Sequence, residues 1–140
     1  KIDTLISRSK KNRQLMTVSD INGKRAKTNY KTIKVFNLKE IPKISLIECE
    51  LETGRTHQIR VHIKYKGSSL LGDRQYGKKN LKFKKINKNF LKRLKNIKGQ
   101  ALHAKTLGFI HPTKNEWVDF ESNLPADFNK MLDLLNDLNG

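Results

Sequence analysis

One cysteine, Cys49, leaves the chain without any internal disulfide and gives no sign of an oxidising compartment. No apolar run approaches the length of a membrane span, and nothing at the N-terminus reads as a signal peptide. Hydrophobic residues are scarce at 36%, yet 140 residues suffice to bury one core without covalent staples. A glycine-rich phosphate loop, a nucleophile elbow and an internal repeat are all missing. Without a second cysteine, and with His57 and His62 spaced five apart, the sequence offers no zinc site. These absences lead us to expect a soluble, cytoplasmic, very basic protein of one modest domain, or a piece of a larger one, with no metal site. The first residue is Lys1 rather than Met, which fits a fragment of something longer.

Acidic residues are also few, and their distribution is uneven. Residues 1–100 carry 27 Lys and Arg against 7 Asp and Glu, whereas residues 101–140 carry 3 against 6. From Arg74 to Lys98 there are 11 basic residues and no acid. Lysine-rich compositional drift would produce basicity, but it leaves the acidic final quarter unexplained. A polyanion partner explains both, because counterion release from phosphates drives such binding at Lys and Arg. The stretch 78–98 reads as a basic insertion that is either a binding face or solvated, with a helix about Phe90, Leu91, Leu94 and Ile97.

The hydrophobic pattern predicts an α+β fold dominated by antiparallel hairpins. Residues 1–13 lack periodicity and read as an entering arm. Strands are expected over Gln14–Ser19 and Ala26–Phe36, joined by an Asn22-Gly23 hairpin turn, with a shift of face or a bulge at Ile33 and Val35. A further strand spans Ile44–Glu52 and stops at Thr53-Gly54. A short helix over Arg55–Lys66 closes at Gly67. Ala101–Ile110 and Glu116–Glu121 pair across the turn at His111–Asn115, and a last helix buries Phe128, Met131, Leu132 and Leu135. Trp117 and Phe120 are expected in the core, and His103 and His111 as hydrogen-bonded packing residues.

The densest segment is Thr53-Gly54-Arg55-Thr56-His57-Gln58-Ile59-Arg60-Val61-His62. A strand ends at a glycine and a polar helical turn follows, which is an arrangement suited to anions. Arg60 turns toward the core and therefore requires a carboxylate. None of the 13 acidic residues is evidently placed to supply it, so this reading puts the partner outside the chain.

The string TGRTHQIRVHIKYKG followed by LLGDRQYG resembles the third motif of pseudouridine synthases of the RluA/RluD type. QALHAKTLGFIHPTKNEWVDFESNLPADFNKML resembles that family's C-terminal signature, and MTVSDINGKRAKTNYKTIKVF its preceding strand pair. The resemblance covers nearly the whole chain apart from 78–98. It implies the C-terminal half of a catalytic domain with a mainly antiparallel mixed sheet, acting without cofactor on large-subunit ribosomal RNA. In such enzymes a flipped-out uridine is attacked by an aspartate, the glycosidic bond breaks, and the uracil rejoins the ribose through C5.

By the same resemblance Arg60 is the ion-pair partner of that aspartate, and Leu102 with Ile59 lines the uracil pocket. Arg55, His57, Gln58, Lys78, Lys79, Lys82, Lys84 and Lys85 are assigned to RNA. The family's H-R-L-D-x-x-T-S-G motif does not occur here and would precede Lys1, so the N-terminal half of the domain is expected as the missing partner. Asp73 is assigned to the GDRQYG turn as a structural residue. Two expectations follow: the chain alone converts no uridine, and losing Arg60 costs it little stability because its partner is absent. The rival reading is a non-catalytic, basic RNA-binding or ribosome-associated module, which leaves GRTHQIR and ALHA without a reason.

Overall fold

A computed structural model of the chain describes residues 1–38, 43–77 and 87–139. The described elements are β1 (Ile2–Arg8), β2 (Met16–Ser19), β3 (Lys24–Phe36), β4 (Ile44–Leu51), α1 (Gln58–Tyr65), α2 (Lys88–Asn96), β5 (Thr106–Ile110), β6 (Trp117–Glu121) and α3 (Ala126–Leu138). This is an α+β fold, as the sequence pattern implied. Every described strand pair is antiparallel, in a four-stranded sheet ordered β2-β1-β3-β4 and a two-stranded sheet β5-β6. No described helix is long and apolar enough to cross a membrane.

Two expectations for the first sheet are corrected. Residues 1–13 are not an arm, because Ile2–Arg8 forms β1, an inner strand with Ile2 and Ile6 buried. Leu5 is partly covered as well, which blurs the alternation that would have announced a strand. Nor do β2 and β3 form a hairpin: both pair with β1, which lies between them. Gly23 makes that crossing possible. Its φ is +135°, and a Cβ there would lie 2.6 Å from the carbonyl oxygen of Ile6. The bulge near Ile33 is present, since the β3–β4 register moves from Thr32↔Ile47 to Lys34↔Leu46.

α1 lies on the sheet face formed by β2, β1 and β3. Val61 packs with Ile6, Ala26 and Tyr76. The helix closes as the sequence anticipated, with Gly67 at φ +84° and paired bonds from Gly67 N to Lys64 O and from Ser68 N to Ile63 O. The second cluster joins the end of β3 to α2 and α3 through Phe36, Leu38, Phe90, Met131 and Leu135. Residues 88–96 of the basic stretch are therefore the expected amphipathic helix, and its apolar face is core. Residues 78–86 lie outside the described residues.

The β5–β6 hairpin behaves differently. Leu107, Phe109, Ile110, Trp117 and Phe120 all stand in solvent, so the core position expected for Trp117 and Phe120 is not observed. No described element covers the hairpin as a second layer, and the Phe109 and Phe120 rings stack on each other. His103 bonds the Ser122 carbonyl, and His111 Nδ1 accepts two backbone N–H groups of its turn, which matches their expected packing roles.

Candidate active site

Thr53-Gly54 ends β4, and His57 in the left-handed region (φ 56°) starts α1. Gln58, at the first helical position, ties the helix to the sheet. Its Oε1 accepts from Arg55 N and Thr53 Oγ1, and its Nε2 donates to Lys27 O and Thr28 Oγ1. The side chain is buried and fully engaged, so it fixes the helix start and offers nothing to RNA, a correction to its expected role. Arg55 is exposed, with Nε on the Arg25 carbonyl.

Two histidines of the motif are anchored by hydroxyls. His62 sits between Thr28 Oγ1 (2.8 Å from Nδ1) and Thr4 Oγ1 (3.0 Å from Nε2), fully buried. His57 Nδ1 lies 2.8 Å from the Tyr76 hydroxyl, which also accepts Met16 N–H. Burial pushes the pKa of His62 down; burial and then the Arg60 charge do the same at His57. Both therefore take up a proton less readily in the folded state than in the unfolded chain, which does so as pH falls through about 6.5. The unfolded state then binds more protons, so stability is full above that pH and declines below it. Denaturant midpoints should fall between pH 7.5 and pH 5, and His62→Gln should flatten the dependence. Equal midpoints at both pH values would contradict a neutral buried His62.

Arg60 is inward-facing, as expected, but its carboxylate is within the chain. Nε donates to Asp73 Oδ2 at 2.8 Å and Nη2 to Asp73 Oδ1 at 2.9 Å, while Nη2 also reaches Gln75 Oε1 at 2.8 Å. The Tyr76 ring lies 4.6 Å below the guanidinium carbon. Asp73 is itself fixed, because Oδ1 accepts the N–H groups of Gln75 and Tyr76. Burial raises the pKa of Asp73, but Arg60 and the two N–H groups outweigh it and hold the carboxyl below the usual carboxylate range. The expectation of an exposed half-site around Arg60 is thus overturned. One signal could have revealed the pair: Asp73 is the sole acid between Glu52 and Glu116.

The Asp73 loop is laced to the segment that carries Leu102. Ala101 N bonds Leu71 O at 2.7 Å, and a Cβ on Gly72 (φ +77°) would lie 2.5 Å from Gly99 O. Ile59 and half-exposed Leu102 line one broad concavity of about 2340 Å³, together with β4, α1 and the start of β5. Arg60 lines an adjoining cleft of about 360 Å³ with Gly72, Arg74, Gln75, Lys98 and Gln100. Lys78, Lys79, Lys82, Lys84 and Lys85 lie outside the described residues. Among the described residues no group of His, Cys, Asp and Glu is arranged to hold a metal ion.

The family model for RNA pseudouridylate synthase matches residues 1–65. An RNA pseudouridine synthase of Bacillus subtilis is 46% identical over 134 residues, covering 96% of this chain and 38% of that protein. The ribosomal large subunit pseudouridine synthase D of Zymomonas mobilis is 46% identical over 135 residues, covering 96% and 39%. The chain thus spans less than half the length of the curated relatives it matches. A solved structure, human RNA pseudouridylate synthase domain containing 1, shares the fold with a TM-score of 0.66 at 22% identity, over 96% of this chain and 58% of that one. Over 96% of its length the chain is thus similar to RNA pseudouridine synthases, and the model of that family matches its first 65 residues.

Proposed function

We propose that the intact protein is a cytoplasmic enzyme that isomerises uridine to pseudouridine in large-subunit ribosomal RNA. Arg60 is the ion-pair partner of an aspartate nucleophile supplied by the remainder of the catalytic domain. Ile59 and Leu102 line the uracil pocket. Arg55, His57 and the lysines 78, 79, 82, 84 and 85 contact the RNA backbone, with Gln58 holding Arg55 from behind. The observation that carries this reading is the lacing of the 70–73 and 99–102 segments, which keeps Leu102 and Arg60 on neighbouring walls. The attacking carboxylate must meet a base already flipped out of its stack, and fixed walls serve that geometry.

The remainder of the domain also has a seat. Among the described strands β4 stands at an edge of its sheet, and the β5–β6 hairpin carries five large apolar side chains in solvent. A further strand on β4 and an apolar layer on the hairpin would cover both.

The test is conversion by the full-length protein on transcribed large-subunit RNA, read by chemical mapping of pseudouridine. We expect one or a few uridines to be converted, and none by the 140-residue chain alone. RNA binding by the full-length protein without conversion of any uridine would instead favour a non-catalytic RNA-binding module.

A further inference from the structure

The pairing of Arg60 leaves a specific part of its guanidinium unspent. Of five N–H donors, Asp73 and Gln75 take the one on Nε and both on Nη2. Nη1 has no partner among the described residues. No fully buried side-chain nitrogen or oxygen among them lacks a partner either, so Nη1 is open to solvent although the residue as a whole is buried. The opening is the cleft lined by Arg60, Arg74, Gln75 and Lys98, where no acid competes for it.

We propose that Asp73 is a positioning residue for the reaction: its carboxylate grips one edge of the Arg60 guanidinium, and so aims the other edge, Nη1, at the carboxylate that attacks the ribosyl carbon. The inference rests on the reading of Arg60 given above. A free arginine side chain samples many rotamers, and a loosely held guanidinium would meet the nucleophile in many geometries. Here the plane is fixed three ways. Two parallel N–H···O bonds set its orientation, Gln75 holds the second hydrogen of Nη2, and the Tyr76 ring lies beneath it. Asp73 cannot swing, because its own side chain is wholly buried and two backbone N–H groups hold Oδ1. The ordering is therefore complete before substrate arrives, which is where orientation contributes most to rate.

Asp73 also offsets the charge of Arg60. The incoming carboxylate then meets a directed donor pair rather than a full, uncompensated cation. That separates the two jobs of the arginine, which orients the nucleophile without binding it so strongly that it stops attacking.

Asp73→Asn tests this, since the amide oxygen can still cap the turn at Gln75 and Tyr76. Its NH₂ group, however, faces the Nε–H of Arg60 and breaks the paired grip. In the full-length enzyme we expect the turnover number to fall about tenfold or more, with KM for RNA changed by no more than about twofold. In an Arg60→Lys background, where no side-on pair exists, adding Asp73→Asn should cost less than about threefold, because residues acting through one another do not combine multiplicatively. Should Asp73→Asn fail to fold, Gln75→Leu at the exposed neighbour gives the same pattern with a smaller loss, again absent in the lysine background. Losses that multiply across the two backgrounds would overturn the inference, as would a rise in KM with turnover retained. A wild-type enzyme that converts no uridine would overturn the functional reading itself, which is a distinguishable failure.

Discussion

Replacing Arg60 by alanine is expected to destabilise the protein by roughly 3–5 kcal/mol, because it strands a buried carboxylate. The Asp73 side chain has 0% exposure and that of Arg60 only 9%, so the carboxylate would lose its charged partner in a largely desolvated place. Asp73 would keep only its two backbone N–H donors, and its pKa would move upward under burial. This reverses the expectation from sequence alone, in which Arg60 had no partner to abandon. Denaturant unfolding of wild type and variant measures the difference, and a loss below about 1 kcal/mol would contradict a buried pair. On the proposed role of Arg60 beside the nucleophile, activity of the full-length protein should fall by orders of magnitude while RNA binding persists. Arg60→Lys should restore little turnover, because an ammonium keeps the charge but loses the planar fork that Asp73 grips. A lysine variant with near-normal turnover would reduce Arg60 to one phosphate contact among many.

Phe90→Ala is the second large effect. Phe90 is fully buried where α2 meets α3 and the end of β3, in contact with the cluster of Phe36, Leu38, Met131 and Leu135. Truncating a buried phenylalanine typically costs about 3–5 kcal/mol, from lost transfer energy and from the cavity left behind. Against a usual total of about 5–15 kcal/mol, that endangers the whole fold. The control is Lys92→Ala, an exposed position on the same helix, which should shift stability by less than about 0.5 kcal/mol. Equal midpoints for the two variants would mean that α2 is a solvated appendage and not a wall of the core.

Several features were legible because they depend on neighbours in the chain. Ile47, Cys49 and Leu51 alternate with Glu48, Glu50 and Glu52, and β4 spans Ile44–Leu51. Gly67 closes α1 because its positive φ is a local matter of sterics. Met131 and Leu135 lie one helical turn apart and are buried together in α3. The motif GRTHQIR is equally local, and its inward Arg60 could be argued from position alone.

What escaped the sequence reading depends on residues far apart in the chain. β1 is an inner strand because β2 and β3 flank it, and nothing within residues 1–13 records that pairing. Gln58 is spent on Lys27 and Thr28, roughly thirty residues earlier, so its exposure could not be judged from the helix start. Trp117 and Phe120 have the chemistry of core residues but no described layer to face. Composition and motif by themselves determined the fold class and an inward arginine at position 60, since these follow from residue type and spacing. Only the tertiary structure decided what that arginine holds: Asp73 lies thirteen residues downstream, and the tight turn at 70–73 brings its carboxylate back beneath α1, where burial makes the pair strong.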